Sequence, residues 1–345
     1  MMNIKDYDLN ELKEIMVSLK EPSYRAVQLF EGLYKGAPDF MSVKNIPKTL
    51  LNSLLDKGFH EGTLEVLRDQ FSEKDGTHKI LFRLKDAETI ETVVMKYKYG
   101  LSVCVSSQVG CLMGCTFCAS AIGGKVRSLS PGEMADQVIS SERITGERIG
   151  HMVVMGMGEP FDNYENLSKF LRLLHEEKGK NMSYRNMTVS TAGIVPMIKR
   201  FGEDFPQVNL AISLHSAKDE VRTMLMPINK RYPVGEVINA AKDYSEKTKR
   251  RITFEYALIK GVNDSQKDME ELSRLLKGML CHVNLIPLNP VKESGYKGTE
   301  RSEAENFALF LKGFGVEATV RRQLGKEIDG ACGQLRVAEK GSLSV

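Results

Sequence analysis

The chain has 345 residues, 42% hydrophobic and 27% charged, with a net charge of +3. That length accommodates one large domain and a small companion, and the balance indicates a soluble globular protein. No apolar run approaches the roughly 20 residues needed to cross a bilayer, and the net charge is too small to argue by itself for a nucleic-acid partner.

The N-terminus (1–12) is polar and carries three acidic residues, so it does not read as a secretory signal. The next stretch reads as short amphipathic helices. Leu12, Ile15, Met16 and Leu19 form one stripe, and Leu50, Leu51, Leu54 and Leu55 form another. Residues 1–60 are therefore expected to form a helical accessory domain. Two strand-like runs follow, at 79–84 and 91–97, and make 61–98 a β-extension or linker.

From about residue 99 to the end, β-rich runs alternate with helical ones. Strands are expected at 101–106, 151–155, 187–190, 208–214, 251–259 and 282–288. Helices are expected at 131–146, 164–178, 194–202, 234–249, 265–279 and 302–314, with a last strand at 317–323. The stripes Leu167, Phe170, Leu171, Leu174 and Phe307, Phe310, Leu311, Phe314 have the spacing of core-facing helices. Six strand–helix units fit a partial, open (β/α)6 barrel of the TIM type, an α/β fold.

Cys111, Cys115 and Cys118 form a C-x3-C-x2-C triplet. Three thiolates are one ligand short of a closed four-coordinate site, which suits a metal centre that keeps a position open for substrate. Zinc with Cys104 as a fourth ligand, or three unrelated core cysteines, are the bland alternatives. The six cysteines show no disulfide-scaffold pattern and suit a reducing cytoplasm.

In barrels of this kind the working residues lie at the C-terminal ends of the strands. The cysteine triplet follows the first strand, Gly156-Met-Gly-Glu-Pro160 the second and Ser190-Thr-Ala-Gly193 the third. Ser213-Leu-His215 follows the fourth and Leu288-Asn289-Pro290 the sixth. The Glu159 carboxylate suits the α-ammonium of an amino-acid ligand. Ser190, Ser213 and Asn289 suit ribose or carboxylate hydrogen bonds, or are ordinary turn residues. His215 is an acid or base, or a rim residue lending only its backbone. Cys332, in Asp329-Gly-Ala-Cys-Gly333, has Arg321, Arg322 and Lys326 nearby in sequence; cations of that kind lower a thiol's pKa. Cys281, at the start of an apolar strand, reads as structural. Basic clusters at Lys96/Lys98, Lys178/Lys180/Arg185, Lys230/Arg231 and Lys249/Arg250/Arg251 permit RNA without demanding it.

These residues resemble the dual-specificity ribosomal and transfer RNA adenine-C2 methyltransferases, a family of radical S-adenosylmethionine enzymes. The matching segments are Cys104-Val-Ser-Ser-Gln-Val-Gly-Cys111 with the triplet, Gly156–Pro160, Ser190–Gly193, Ile212–His215, Met226–Asn229, His282–Pro287 and Ile328–Leu335. They run in order over about residues 90–335. The resemblance implies a 4Fe–4S cluster on Cys111, Cys115 and Cys118, and two S-adenosylmethionine molecules per turnover. It implies that Gly158, Glu159, Ser190, Ser213, Leu214, His215 and Asn289 bind the cosubstrate. Cys332 takes a methyl group from the first molecule; a radical generated from the second activates that methyl, which adds to adenine C2. Cys104 then resolves the protein–RNA adduct by forming a disulfide with Cys332, and Glu91 is the proton acceptor. The implied partners are 23S ribosomal RNA, transfer RNA and an electron donor such as flavodoxin or ferredoxin, in the cytoplasm and without a membrane.

Two other readings stay open. The related adenine-C8 methyltransferases share the cysteines and the chemistry, but usually have Gly-Glu-Ala where this chain has Gly158-Glu159-Pro160, and isoleucine at Ala192. A non-catalytic metal-containing RNA-binding protein would use the cysteines as scaffold.

Overall fold

A computed structural model of the chain describes residues 2–62, 64–289 and 294–328. Its spine is one ten-stranded sheet. Six parallel strands run in chain order: Gly100–Cys104, Ile149–Val154, Met187–Thr191, Asn209–Ser213, Ile252–Leu258 and Cys281–Pro287. Their apolar, doubly covered character is that of parallel sheet. A short seventh strand, Ala318–Val320, adds in parallel at one edge. It is shorter than the run at 317–323 suggests, because the chain leaves the sheet after Arg321 bonds to Leu285.

Six helices cross between these strands: Pro131–Thr145, Tyr164–His175, Val195–Asp204, Val234–Thr248, Gln266–Leu276 and Arg301–Gly313. Local chemistry fixes where they start. Ser130 and Glu133 form a reciprocal capping box with Pro131 in the first turn, and Gly146 closes the same helix with φ 68°. Ser265 and Asp268 repeat the device on the fifth helix. The Leu167/Phe170/Leu171/Leu174 stripe is wholly buried. Phe314 is not: it caps its helix and is 53% exposed, resting against Phe310.

The segment before the barrel builds onto the sheet itself. Thr89–Tyr97 pairs antiparallel with the first barrel strand, and His78–Arg83 and Glu65–Phe71 follow outward. The strand Glu65–Phe71 has no apolar alternation and little burial, so periodicity does not reveal it. Charged edges of this kind discourage pairing with other chains. The N-terminal helices Leu9–Ser18, Tyr24–Tyr34 and Lys48–Asp56 pack into the same core as the barrel helices, with Leu12, Met16, Leu50, Leu51 and Leu54 buried, Ile15 and Leu19 partly buried, and Leu55 exposed. Lys5 forms a fully buried ion pair with Asp136 of the first barrel helix, and the Gly132 N–H donates to Asp6 at 2.7 Å.

The sheet does not close. The segment beyond the seventh strand crosses the gap and is pinned on the far side. There the Gly325 N–H donates to Asp75 Oδ2 at 2.8 Å and the Ser72 hydroxyl donates to Glu327 Oε1 at 2.6 Å. Among the described residues no helix is long and apolar enough to cross a membrane. Asp75→Ala should cost about 1 kcal/mol and release this strap locally. The check is hydrogen exchange, which should accelerate at the Gly325 amide while the barrel strands stay protected; unchanged exchange there would show that the pin is unimportant.

Candidate active site

The cysteine loop rises from the end of the first barrel strand on a two-stranded ribbon, Gln108–Gly110 with Lys125–Ser128. Gly110 has φ 78°, and a side chain there would strike the Gly124 carbonyl at 1.9 Å. Cys111 donates its N–H to that carbonyl at 3.1 Å, and the Met113 N–H points at Cys111 Sγ at 3.5 Å. Cys111 is buried, and Cys115 and Cys118 are partly exposed. Burial pushes the Cys111 thiol up to about 12, and the neighbouring Cys118 adds to it; burial, Cys118 and Cys111 all push Cys115 up.

The sulfurs therefore feel one another, although among the described residues no three Cys, His, Asp or Glu side chains converge into a finished metal site. Three neighbouring thiols on one surface loop fit an iron–sulfur cluster with an open iron. They do not need Cys104, which lies one strand-end away in the cavity wall.

The turn after the second strand is pressed against the start of this loop. A Cβ on Gly156 would meet Val105 O at 2.7 Å, and one on Gly158, whose φ is 102°, would meet Gln108 at 2.5 Å. The Glu159 N–H donates to Gln108 Oε1 at 3.0 Å. The Glu159 side chain is 3% exposed and accepts three hydrogen bonds: from the Phe161 N–H, the Thr191 hydroxyl and, at 2.7 Å, the Ala192 N–H. Burial pushes its carboxyl up to about 7, against the pull of those donors. The sequence suggests a carboxylate offered to a ligand; here it is turned into the protein, fixing the third strand's end. Backbone is what this turn can present.

His215 is buried with φ 58°. Its Nδ1 accepts the Ala257 N–H at 2.9 Å, so the ring proton sits on Nε2. Burial and the Arg222 charge drop its pKa to about 3. It is a neutral donor, unable to serve as a base through Nδ1. Leu214 is buried; its N–H bonds to Glu255 and its carbonyl accepts both Ser216 and Arg222. It can therefore only pack. Ser190 and Ser213 are half-buried at the ends of the third and fourth strands, and Asn289 is exposed past the sixth.

Arg222 is the residue that sequence reasoning missed. It lies in the short helix Asp219–Leu225, fully buried. Its five N–H groups donate to the carbonyls of Leu214, Tyr232, Ala192 and Ser213 and to Asn229 Oδ1, at 2.7–3.3 Å. The match at Met226–Asn229 brought the sequence reading within four residues of it.

Of these rim residues, Cys118, Gly156, His215 and Asn289 line a cavity of about 280 Å³ inside the barrel, whereas Gly158, Glu159, Ser190, Ser213 and Leu214 are not part of its lining. Glu91, Val93, Met95 and Tyr97, alternate residues of one strand, line one side. Cys104, Cys118, His215 and Asn289 line others, and Arg321 to Leu324 cross over it. Burial pushes Cys104 up to about 11, opposed by Arg321. Cys332 lies outside the described residues, as does Pro290.

Because the native His215 holds its proton only below about 3 while the unfolded ring titrates near 6.5, its contribution to stability is complete above 6.5 and is lost as pH falls toward 3. His215→Gln should flatten that limb of the pH–stability curve, read by denaturant unfolding. A limb as steep as before would refute the neutral tautomer.

A radical SAM superfamily model matches residues 105–276. "Probable dual-specificity RNA methyltransferase RlmN" of Clostridium perfringens strain 13 is 50% identical, covering 97% of both chains. Its namesake in Clostridium tetani is 48% identical, covering 97% of this chain and 96% of the other. A radical SAM methyltransferase from Sphaerobacter thermophilus superposes with TM-score 0.93 at 45% identity, covering 97% of this chain and 99% of the other. Matched to these relatives along nearly its whole length, the chain belongs to the RlmN family of dual-specificity RNA methyltransferases within the radical SAM superfamily.

Proposed function

We propose that this protein methylates C2 of adenine in 23S ribosomal RNA and in transfer RNA, carrying the methyl group on Cys332. One arrangement carries the reading: Cys104, Glu91, His215 and Cys118 line the same cavity. A cavity walled by the barrel is a setting in which a reactive carbon can be shielded from bulk water.

Cys111, Cys115 and Cys118 would hold the cluster, which when bound supplies the electron for reductive cleavage of S-adenosylmethionine. The His215 Nε2–H, Ser190, Ser213 and Asn289 would hydrogen-bond the cosubstrate, and Leu214 would pack beneath it. The backbone of Gly158 and Glu159 would meet its amino group. Cys332 is the methyl acceptor and Cys104 the resolving thiol. The high Cys104 pKa has a use: a protonated thiol does not compete with Cys332 for the methyl group. Glu91 accepts the proton that leaves the adenine carbon. A target base in folded RNA has to be flipped out to reach this interior. Leu112 and Ile122, exposed on the cysteine loop, offer a landing face to a one-electron carrier such as flavodoxin or ferredoxin. The cytoplasm is the compartment we assign, from the reduced cysteines and the RNA substrates.

The test is mass spectrometry of the Cys332 peptide from anaerobically purified protein, with nucleoside analysis of the RNA product. We expect one added CH2 on Cys332 and 2-methyladenosine in the RNA. In Cys104→Ala a covalent protein–RNA adduct should accumulate. An unmodified Cys332 in iron-replete, turning-over enzyme would overturn the methyl-cysteine route, and 8-methyladenosine would overturn the regiochemistry. RNA affinity should fall by about 0.7–0.9 log units per log unit of salt for each phosphate contacted; a salt-independent affinity would remove the basic clusters from the RNA face.

A further inference from the structure

We propose that Lys79 is a positioning residue, which supplies the counter-charge of the Glu91 carboxylate and aims it into the cavity; the inference rests on the adenine-methylation reading above. Strand pairing sets Leu81 opposite Glu91 and Lys79 opposite Val93. Opposed residues share a face of the sheet, so Lys79 stands on the cavity face, diagonal to Glu91 and within reach of it. Its Nζ is 3.3 Å from Glu91 Oε2, and the two side chains are 0% and 1% exposed. Glu91 lines the cavity and Lys79 stands behind it.

Two charges withdrawn from water at this point call for a reason. A buried ion pair seldom holds two strands better than a well-packed apolar pair of the same size. Neighbouring positions on these strands, Ile80, Phe82, Ile90 and Val94, are apolar and buried. The chain therefore has the means to fasten the strands without charge. A buried carboxylate with no cation beside it takes up a proton instead of staying ionised, and a protonated Glu91 cannot accept one from the substrate. Lys79 removes that obstacle.

The other charged or titratable groups on this cavity come from every element around it. Arg321 and Arg322 lie on the crossing segment, Cys104 on the first barrel strand, and Cys118 on the cysteine loop. His215 follows the fourth strand, and Tyr97 lies on Glu91's own strand. Arg321 acts on Cys104, Tyr97 and Glu255, and His215 is neutral. Among the described residues, Lys79 is a cation in direct contact with the Glu91 carboxylate.

The experiment uses full-length enzyme already methylated on Cys332 and measures single-turnover transfer to RNA across pH. It compares wild type, Lys79→Arg, Lys79→Met, Glu91→Gln and the double variant Lys79→Met/Glu91→Gln. We expect Lys79→Met to move the acidic limb of the rate profile up by at least about one pH unit, a roughly tenfold loss on the low side, with Lys79→Arg restoring the wild-type limb. The double variant should be no slower than Glu91→Gln alone. It lacks both charges, so it carries the test if Lys79→Met by itself fails to fold. A Lys79→Met rate reduced equally at every pH would overturn the proposal, as would a double variant slowed beyond Glu91→Gln by the full single-variant factor. Wild-type enzyme that never methylates Cys332 or adenine would instead overturn the functional reading on which this rests.

Discussion

The arrangement of the site depends on how the backbone of one residue is held on both sides. Ala192, at the end of the third strand, donates its N–H to Glu159 at 2.7 Å, and its carbonyl accepts Arg222 at 2.7 Å. A buried acid and a buried basic side chain thus grip the same residue. Glu159 ties that strand end to the glycine turn of the second strand. Arg222 ties it to Ser213 and Leu214 of the fourth, and through Leu214 to the turn carrying His215. Backbone polar groups emerging from a parallel sheet must find partners as the ladder ends. These two side chains meet that need and set the rim's shape in doing so.

The rim also depends on close contact that only glycine permits. Gly156 and Gly158 let the second turn lie against residues 105–108, and Gly110 lets the cysteine loop begin where it does. Ser106 knits the same region: its hydroxyl donates to the Glu91 carbonyl at 2.6 Å and accepts the Met157 N–H at 3.0 Å. The strand carrying Glu91, the approach to the cysteine loop and the glycine turn are therefore cross-braced through one hydroxyl. A shift in any of them would be felt by the others.

Much of this was legible in the sequence, and the reasons differ by element. The six barrel helices announce themselves through stripes and caps, because burial on one face imposes the 3.6-residue period. The parallel strands are visible as apolar runs. The edge strand Glu65–Phe71 carries neither signal, since it buries almost nothing. Arg222 looks like one more polar residue on a seven-residue helix, and its importance lies in five acceptors scattered over residues 192–232. The inward turn of the Glu159 carboxylate was equally hidden: a Gly-x-Gly-Glu motif gives no sign of which way its acid points. The open barrel followed from counting strand–helix units, whereas the strap that spans its gap depends on contacts between residues about 250 apart.

The buried pairing of Lys5 with Asp136 has a consequence for the order of assembly. The N-terminal helices are made first, yet the partner of Lys5 is 131 residues downstream. During synthesis they wait with an uncommitted apolar face until the first barrel helix has emerged. The docking contact is non-local, of the kind that slows folding. It also makes the N-terminal segment a poor candidate for removal, since a chain lacking its first few residues would leave the buried Asp136 without its direct ion-pair partner.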